Sequence, residues 1–410
     1  MTSMKRVSTI IPTYNCAAYI AEALESILAQ TYPDVEIIVV DDGSTDSTRQ
    51  VLEPYRGRII YLHQENQGES VARNRGIEAA GGEFIAFLDA DDLWLPTKLE
   101  RQVAAMDHYP EAVLAYSYAY AVDASGRRIR FRGSDLLCQG EAGLHQVFAR
   151  LVTDNMIANP GAVLMRKQFL TGMTAFDPAI RWGEDWDLWL RLSLKGPFLF
   201  IPEPLACYRM HTAERRLAIE ASDAFVRQNE EILRKVFASL PAEQADGAGL
   251  RASAFCSLYL RSAVYNFELG NVERGANYVR LAVQADPGFA QDRSAFARRI
   301  ADEGFRIARD KGNLAEGEAF VRRVFDHLPP TAAHLQTCRA RALSGFYATA
   351  AFSHFAQGKR AATWRYVIQA IRYHPGGTQR GLLSIGAQAL LGGKPWARLR
   401  RRWRHTTIAT

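Results

Sequence analysis

Short apolar runs alternate with segments of helical periodicity along the first quarter of the chain. Runs rich in β-branched and aromatic residues predict strands at 7–11, 35–40, 59–62 and 83–88. Between them, apolar residues three and four positions apart predict helices at 17–30, 47–52 and 70–80. Strands and helices that alternate in this way are typical of a mostly parallel sheet, so we expect an α/β fold. The pattern from 112 to 220 is less regular, and we expect that segment to join the same sheet.

Beyond residue 222 the pattern is helical throughout, and it contains a repeat. Three turn glycines are each followed nine residues later by valine and seventeen residues later by proline, at Gly270, Val279 and Pro287, at Gly312, Val321 and Pro329, and at Gly358, Val367 and Pro375. A turn glycine, a helix and a terminating proline are typical of stacked helical hairpins. The glycines are 42 and 46 residues apart, so the units resemble degenerate tetratricopeptide repeats, with an ordinary helical bundle as the alternative.

These patterns predict four segments. We expect a first domain at 1–220, a helical linker at 221–250, helical repeats at 251–376 and a basic tail at 377–410. The composition agrees with a globular protein, because 48% of the 410 residues are hydrophobic and 23% are charged. No stretch is long enough to span a membrane, and the apolar run after Lys5 and Arg6 is too short for a signal peptide.

The cysteines and the charge bear on the compartment and the partners. Five cysteines lie far apart without a CxxC pair, which is typical of a reducing, cytoplasmic compartment. Residues 376–410 hold seven Lys or Arg and no acid, with Trp396 and Trp403 among them. Indoles mixed with arginines favour an anionic membrane surface, with a solvated terminus as the alternative. We expect no binding to nucleic acid, because no nucleic-acid-binding fold accompanies the charge.

Three carboxylates follow the fourth predicted strand, at Asp89, Asp91 and Asp92. Crowded carboxylates repel one another unless a cation neutralises them, and oxygen ligands suit Mg²⁺ or Mn²⁺ bound together with the phosphates of a substrate. Ligands of open α/β sheets bind at the carboxyl ends of the strands. A solvated acidic turn is the alternative for an isolated pair of this kind. The surrounding strand ends favour the metal site.

Polar residues also follow the first two predicted strands, and a basic helix start precedes the fourth. Tyr14 offers an aromatic face for stacking, and Asp42 offers a carboxylate to a base or a ribose. Arg73 and Arg75 lie in the first turns of the helix at 70–80, where free N–H groups and positive charge favour an anion. Together these features predict a site for a base, a ribose, a diphosphate and a metal along one edge of the sheet.

Six motifs in this order resemble those of family 2 glycosyltransferases of the GT-A fold, a large bacterial group that includes transferases of surface polysaccharides. They lie at 8–15 (STIIPTYN), 39–46 (VVDDGSTD), 72–76 (ARNRG), 87–92 (FLDADD), 182–191 (WGEDWDLWLR) and 208–211 (YRMH). The resemblance covers about the first 215 residues. It implies that 1–220 is a GT-A domain, a Rossmann-like mixed and mostly parallel sheet flanked by helices, followed by the all-α repeat domain.

The resemblance implies roles on the donor side of the site. Asp42 would contact the nucleobase, and Pro12 and Tyr14 would line the same pocket. Arg73 and Asn74, in the matching helix start, would help to bind the donor. The donor would be a nucleotide-diphosphate sugar, with UDP, GDP or dTDP as the nucleotide.

The resemblance also implies the metal ligands and the catalytic base. Asp91 would be the direct metal ligand, and Asp89 would lie at the position of the ribose and the metal. His211 could ligate the metal or be a structural histidine. Asp185 matches the general base, which takes a proton from the acceptor hydroxyl, and Glu184 could raise its pKa or hold the acceptor. Without the upstream motifs, the acids at 184–187 would indicate an ordinary helix N-terminus.

We therefore expect a metal-dependent, inverting hexosyltransferase that acts on a growing glycan or a lipid-linked acceptor. It would be cytoplasmic, and its tail would lie on the inner face of the membrane. The helical repeats would bind a partner protein or a second copy of the chain. The alternatives are a nucleotidyltransferase, which would need a glycine-rich, lysine-bearing N-terminal loop, and a scaffold with a vestigial catalytic half.

Overall fold

A computed structural model describes residues 6–129, 136–138, 140–157, 159–210, 213–241, 249–375 and 380–391. The chain divides into two compact units, Met1–Leu258 and Tyr259–Thr410. The division falls inside a helix, and the domain boundaries predicted at 220 and 250 remain predictions. The predicted basic tail at 377–410 lies outside the described residues except for 380–391.

The first unit is built on one ten-stranded sheet. Its strands are β1 Val7–Thr13, β2 Val35–Asp41, β3 Ile60–His63, β4 Phe84–Phe87, β5 Leu93–Trp94, β6 Leu114–Val122, β7 Leu136–Leu137, β8 Gly143–His145, β9 Val163–Arg166 and β10 Phe198–Arg209. The main path across the sheet is β3-β2-β1-β4-β9-β6-β10-β5, while β7 pairs with β6 and β8 pairs with β10. The strands from β3 to β4 are parallel, as are β6 and β10, whereas β9 and β5 are antiparallel to their neighbours.

Helices connect the strands of this unit. They are α1 Ile20–Leu28, α2 Thr48–Leu52, α3 Glu69–Ala79, α4 Lys98–His108, α5 Phe148–Leu151, α6 Glu184–Ser193, α7 Ala213–Glu220 and α8 Asp223–Ala238. Short 3₁₀ turns lie at Glu53–Tyr55, Pro160–Ala162 and Lys167–Leu170. In α1 the buried residues are Ile20, Ala23, Leu24 and Ile27, a spacing that places one apolar face against the sheet.

The central strand β1 aligns the polar strand ends. All seven of its residues are buried, as expected for a parallel strand covered on both faces. Val7 pairs with Val35 of β2 and with Phe84 of β4, so the three strands run in parallel from a common start. Their carboxyl ends therefore reach the same edge of the sheet. The mixed α/β sheet is confirmed, and the less regular segment after residue 112 does extend it through β6, β9 and β10.

The second unit is helical in its described residues. Its helices are α9 Leu250–Glu268, which begins in the first unit, α10 Val272–Ala285, α11 Pro287–Gln291, α12 Arg293–Asp310, α13 Leu314–Asp326, α14 Arg339–Ala356, α15 Arg360–Tyr373 and α16 Arg380–Leu391, with a 3₁₀ segment at Pro330–Cys338. No helix of the described residues is long and apolar enough to cross a membrane.

The three repeat glycines form equivalent turns. Gly270, Gly312 and Gly358 have φ angles of 83°, 64° and 74° and separate α9 from α10, α12 from α13 and α14 from α15. At each turn the residue after the glycine donates its N–H to the carbonyl five residues before it, which closes the preceding helix with a Schellman-type cap. Helical hairpins with a shared cap are therefore present, and the assignment to the tetratricopeptide family remains a prediction.

The close crossing of α12 and α13 gives a test of packing in this unit. A Cβ at Gly317 of α13 would collide with the carbonyl oxygen of Gly304 in α12 and would lie 2.7 Å from the Cβ of Ala308. We expect Gly317→Ala to destabilise this hairpin by about 1–3 kcal/mol through overpacking, a cost that the gain in helix propensity offsets only in part. Hydrogen exchange of the α12 and α13 amides in the full chain measures the loss of protection.

Gly312→Ala is the matched comparison, because a Cβ there would meet nothing within 4 Å and would only strain the φ of 64°. We expect a cost of about 1–2 kcal/mol from that backbone strain. Protection in Gly317→Ala equal to or greater than that of the wild type would contradict the packing argument.

Candidate active site

A cavity of about 280 Å³ opens at the carboxyl edge of β1, β2 and β4. It is lined by Pro12, Thr13, Tyr14, Cys16, Asp42, Asn66, Gly68, Glu69, Ala72, Asp89, Ala90 and Asp91. Five residues that the sequence predicted for the donor or the metal are therefore on one cavity wall, namely Pro12, Tyr14, Asp42, Asp89 and Asp91. The ring of Tyr14 is 47% exposed, so an aromatic face is accessible there.

Asp42 holds one side of this cavity in place. Its carboxylate accepts hydrogen bonds from Gln64 Nε2 at 2.7 Å, from the Gln67 amide at 2.9 Å and from the Gly68 amide at 2.8 Å. The side chain is 3% exposed. The carboxylate therefore ties the end of β2 to the loop that leads into α3, and a ligand in the cavity would meet a carboxylate whose two oxygens are fixed by three donors.

A second tie joins the loops after β1 and β2. Asn15 has a φ of 52°, in the left-handed region that asparagine tolerates better than most residues. Its side-chain oxygen accepts hydrogen bonds from the amides of Thr45 at 2.8 Å and Asp46 at 3.2 Å. This contact fixes the backbone beside Tyr14, so the aromatic wall of the cavity has a defined position.

The guanidinium of Arg73 lies at the centre of an acidic cluster. It donates hydrogen bonds to Glu69 in the same helix, to Asp89 after β4 at 2.8 Å and to Glu184 at the start of α6 at 3.0 Å. The Arg73 side chain is 2% exposed, and the ring of Phe176 lies 5.2 Å from the guanidinium carbon. Arg73 thus connects the cavity with the helix that carries the predicted base.

The cluster holds more negative than positive charge. The Glu69 side chain is 51% exposed, but lost hydration at its carboxyl group and the charges of Asp89 and Glu184 raise its pKa, against the lowering effect of Arg73. No three His, Cys, Asp or Glu side chains of the described residues are arranged to hold a metal ion by themselves. A Mg²⁺ ion bound to a nucleotide needs only one or two carboxylates, because phosphates and water supply its other ligands. Asp89 and Asp91 on the cavity wall fit that requirement.

Asp185 lies next to this cluster in the first turn of α6. The preceding Gly183 has a φ of 85°, which lets the chain turn into the helix at this point. The Asp185 carboxylate accepts a hydrogen bond from the Trp186 amide at 2.7 Å. Burial and the negative charge of Glu184 raise its pKa to about 7, against the opposing effects of the Trp186 amide and of Arg73 and Arg216. A carboxylate with a pKa near neutrality is suited to take and release protons.

Asn74 and Arg209 hold the loops around the cluster. The Asn74 amide donates to the carbonyl oxygen of Phe176 at 2.6 Å and accepts from the Phe176 N–H at 2.9 Å. These bonds engage its side chain with the protein's own backbone, so its predicted donor contact remains a prediction.

Arg209, at the end of β10, donates to the carbonyl oxygen of Asp91 at 2.7 Å, and its amide donates to the buried carboxylate of Asp92. Burial and the charges of Asp89 and Asp91 raise the pKa of Asp92.

One predicted site residue lies outside the described residues, and one residue of the acidic cluster was not predicted. His211 lies outside the described residues, and its role as a metal ligand remains a prediction. Glu69 was not predicted as a site residue, although it directly precedes the predicted helix at 70–80, which contains Arg73 and Asn74. Its position four residues before Arg73 places both side chains on one helix face, a signal that the sequence does contain.

Comparison with known proteins places these features in a family. The model of the family described as Glycosyl transferase family 2 matches residues 8–169. The putative teichuronic acid biosynthesis glycosyltransferase TuaG of Bacillus subtilis is 36% identical over 225 residues, which cover 51% of this chain and 81% of TuaG. An uncharacterized glycosyltransferase of Rickettsia typhi is 34% identical over 212 residues, and this chain spans 65% of its length.

Solved structures share the fold at lower identity. Staphylococcus aureus TarS 1–349 in complex with UDP-GlcNAc aligns with a TM-score of 0.54 and 20% identity, covering 77% of this chain and 90% of that one. The mannosyltransferase PcManGT of Pyrobaculum calidifontis, in complex with GDP-Man and Mn²⁺, aligns with a TM-score of 0.50 and 18% identity, covering 79% and 88%. Similarity at these identities supports the fold alone.

The raised pKa of Asp185 predicts a dependence of stability on pH. Its folded-state pKa of about 7 exceeds the ordinary value of 3.8, so the unfolded chain loses this proton at a lower pH than the folded chain. The folded state is therefore penalised increasingly between about pH 4 and pH 7. We expect Asp185→Asn to increase the free energy of unfolding by on the order of 2 kcal/mol at about pH 7.5, and to have an effect that declines towards about pH 4. Thermal melting across this pH range measures the difference.

Asp187→Asn, two residues along the same helix, should have the opposite effect. Asp187 is fully buried and accepts hydrogen bonds from Arg191 at 2.6 and 2.9 Å, so loss of its charge leaves the partly buried Arg191 guanidinium without this counter-charge. A melting temperature of Asp185→Asn below that of the wild type at every pH would contradict the raised pKa.

Proposed function

Because this chain belongs to the family 2 glycosyltransferases, we propose that it transfers a sugar from a nucleotide-diphosphate donor to a hydroxyl group of a glycan. The observation that carries the proposal is the junction at Arg73. One buried guanidinium joins the carboxylate of Asp89 in the cavity to Glu184, which is adjacent to Asp185. A nucleotide-diphosphate site and a carboxylate with a pKa near 7 therefore adjoin each other, as group transfer requires.

The cavity suits the nucleotide half of the donor. Tyr14 offers an exposed ring for stacking on a base, and Asp42 offers a fixed carboxylate to base N–H or ribose hydroxyl groups. The TarS structure contains UDP-GlcNAc, and the PcManGT structure contains GDP-Man. Those two ligands support a nucleotide-sugar as the donor class, with UDP, GDP and dTDP sugars as the candidates.

A divalent cation, Mg²⁺ or Mn²⁺, would be held by Asp91 and Asp89 together with the donor diphosphate. Bound there, it would stabilise the negative charge of the departing diphosphate. The acidic cavity supports this assignment, because a diphosphate would add negative charge beside Asp89, Asp91 and Glu69, and the Arg73 guanidinium already pairs with two of these. The Mn²⁺ in the PcManGT structure is consistent with such a requirement.

In the proposed reaction, Asp185 accepts the proton of the acceptor hydroxyl as its oxygen attacks the anomeric carbon. The new bond to carbon forms as the bond to the diphosphate oxygen breaks, and the nucleoside diphosphate leaves on the opposite face, which inverts the configuration. Arg73 holds the Glu184 carboxylate in place through a hydrogen bond of 3.0 Å. The negative charge of Glu184 in turn keeps the Asp185 pKa high enough for it to act as a base near neutral pH.

The acceptor class follows from the relatives. TuaG is named for teichuronic acid biosynthesis, which supports a growing polysaccharide as the acceptor, free or lipid-linked. We propose that the enzyme is cytoplasmic, at the inner face of a membrane, and that the helical second unit binds a partner protein or a second copy of the chain. The hydrogen-bonded carboxylate and the exposed aromatic ring of the cavity, together with the proposed base next to it, favour a catalytic role over a scaffold role.

A thermal-shift panel of UDP, GDP and dTDP, each with and without Mn²⁺, tests the donor site. We expect one nucleotide to stabilise the first unit in a metal-dependent manner, by about 2.7 kcal/mol at a hundredfold excess over its dissociation constant. Asp91→Ala should abolish the metal-dependent part of the shift. Glu111→Ala, an exposed acid outside the cavity, should leave it unchanged. Absence of a shift with every nucleotide would support the scaffold alternative.

The pH dependence of turnover tests the base and its neighbour. We expect kcat to rise with pH through about 7 as Asp185 ionises, and Asp185→Asn to lower it by about 10²–10⁴-fold while the nucleotide shift is retained. Glu184→Gln keeps an oxygen for Arg73 but removes the negative charge that raises the Asp185 pKa. The midpoint of the kcat profile should therefore move to lower pH. A midpoint that stays in place or moves upward would contradict the proposed coupling.

A further inference from the structure

Helix α8 lies in the segment predicted to be a linker. It contacts the turn that leads into α6, the helix that carries Asp185. Gln228 of α8 accepts hydrogen bonds on its side-chain oxygen from the amides of Arg181 at 2.9 Å and Trp182 at 2.8 Å. Its side-chain nitrogen donates to the carbonyl oxygen of Ala179 at 3.0 Å. One side chain therefore satisfies three backbone groups of the turn at 179–182. That turn is separated from Glu184 by Gly183 alone.

Two further contacts of α8 fix the same segment. Lys235 forms an ion pair with Asp177 at 2.8 Å, and this interaction lowers the pKa of Asp177. A Cβ built on Gly183 would lie 3.4 Å from both the side-chain oxygen of Asn229 and the Cδ1 of Ile232. Helix α8 thus contacts this segment from Asp177, before the turn, to Gly183, the residue that precedes α6.

We propose that Gln228 is a positioning residue that sets the orientation of Asp185 through the turn at 179–182. The inference rests on the proposed function. Non-helical backbone moves easily unless its polar groups are hydrogen-bonded. The N–H groups of Arg181 and Trp182 are hydrogen-bonded to Gln228, whose position is fixed by a helix. A turn held at three points two residues from Glu184 limits how far the start of α6 can move.

The donor cavity provides an internal reference for this role. Of the described residues that line the cavity, none belongs to α8. Loss of the Gln228 contacts should therefore impair the step that depends on Asp185 and leave nucleotide binding unchanged. A residue that served only the stability of the whole unit would not separate these two properties.

The test compares Gln228→Met and Gln228→Glu with Arg227→Ala, an exposed neighbour on the same helix. Methionine keeps the length of the side chain and loses all three hydrogen bonds, whereas glutamate keeps an oxygen for the two N–H groups. We expect Gln228→Met to lower kcat by about 10- to 100-fold, as misplacement of a reacting group does, with the donor KM and the nucleotide thermal shift within about twofold of wild type. Gln228→Glu should recover part of kcat, and Arg227→Ala should match the wild type.

Hydrogen exchange supplies a readout that is independent of turnover. The amides of Arg181 and Trp182 should exchange faster in Gln228→Met and remain protected in Arg227→Ala. Faster exchange with unchanged kcat would overturn the positioning role, and so would a parallel loss of kcat and nucleotide binding. Absence of turnover by the wild-type enzyme, despite nucleotide binding, would overturn the proposed function as well, so the two failures are distinguishable.

Discussion

The geometry of the site depends on one buried cation, Arg73. A guanidinium that is 2% exposed is stable only if its charge is paired, because removal from water costs several kcal/mol. Its partners come from α3, from the end of β4 and from the start of α6. Glu184 lies 111 residues away in the chain. The need to pair this single charge therefore holds three separate elements at one point, and the donor cavity and the predicted base are adjacent for that reason.

The charge of the same cluster is consistent with the proposed divalent cation. One guanidinium, that of Arg73, faces the three carboxyl groups of Glu69, Asp89 and Glu184, and lost hydration together with the neighbouring carboxylates raises the pKa of both Glu69 and Asp185. A diphosphate would add more negative charge to this surface. A divalent ion bound by Asp89 and Asp91 would resolve both problems at once, since it neutralises protein and ligand together. The charge of the pocket therefore supports the proposed metal site in addition to the sequence motif.

Local sequence patterns identified most of the fold and the cavity wall. The strands at β1, β2 and β4 were predictable because buried parallel strands are nearly continuous apolar runs, and the parallel arrangement brought Tyr14, Asp42 and Asp89 to one edge. The turn glycines of the second unit were identifiable because a left-handed φ is a local requirement at the end of a helix.

Contacts between distant segments were not predictable in the same way. Asn74 was selected as a donor contact from its motif, whereas its amide binds the backbone of Phe176, 102 residues away. Gln228 carries no motif, and its importance follows from the turn it meets. The segment at 221–250 has a helical pattern that fits a linker as well as it fits α8. Periodicity gives the face that a helix buries, but it does not identify the surface that covers this face.

The first turn of α6 shows how position alone assigns different roles to similar side chains. Glu184, Asp185 and Asp187 lie within four residues, and each successive residue points about 100° further around the helix axis. Glu184 reaches Arg73, and Asp187 turns into the core, where it binds Arg191. Asp185 is left between them without a cation of its own at hydrogen-bond distance among the described residues, beside the charge of Glu184, and its pKa rises to about 7. Carboxylates in different environments can take separate roles, and here the different environments follow from helix geometry. Asp185 is suited to be the base because its two neighbours in the turn are already paired.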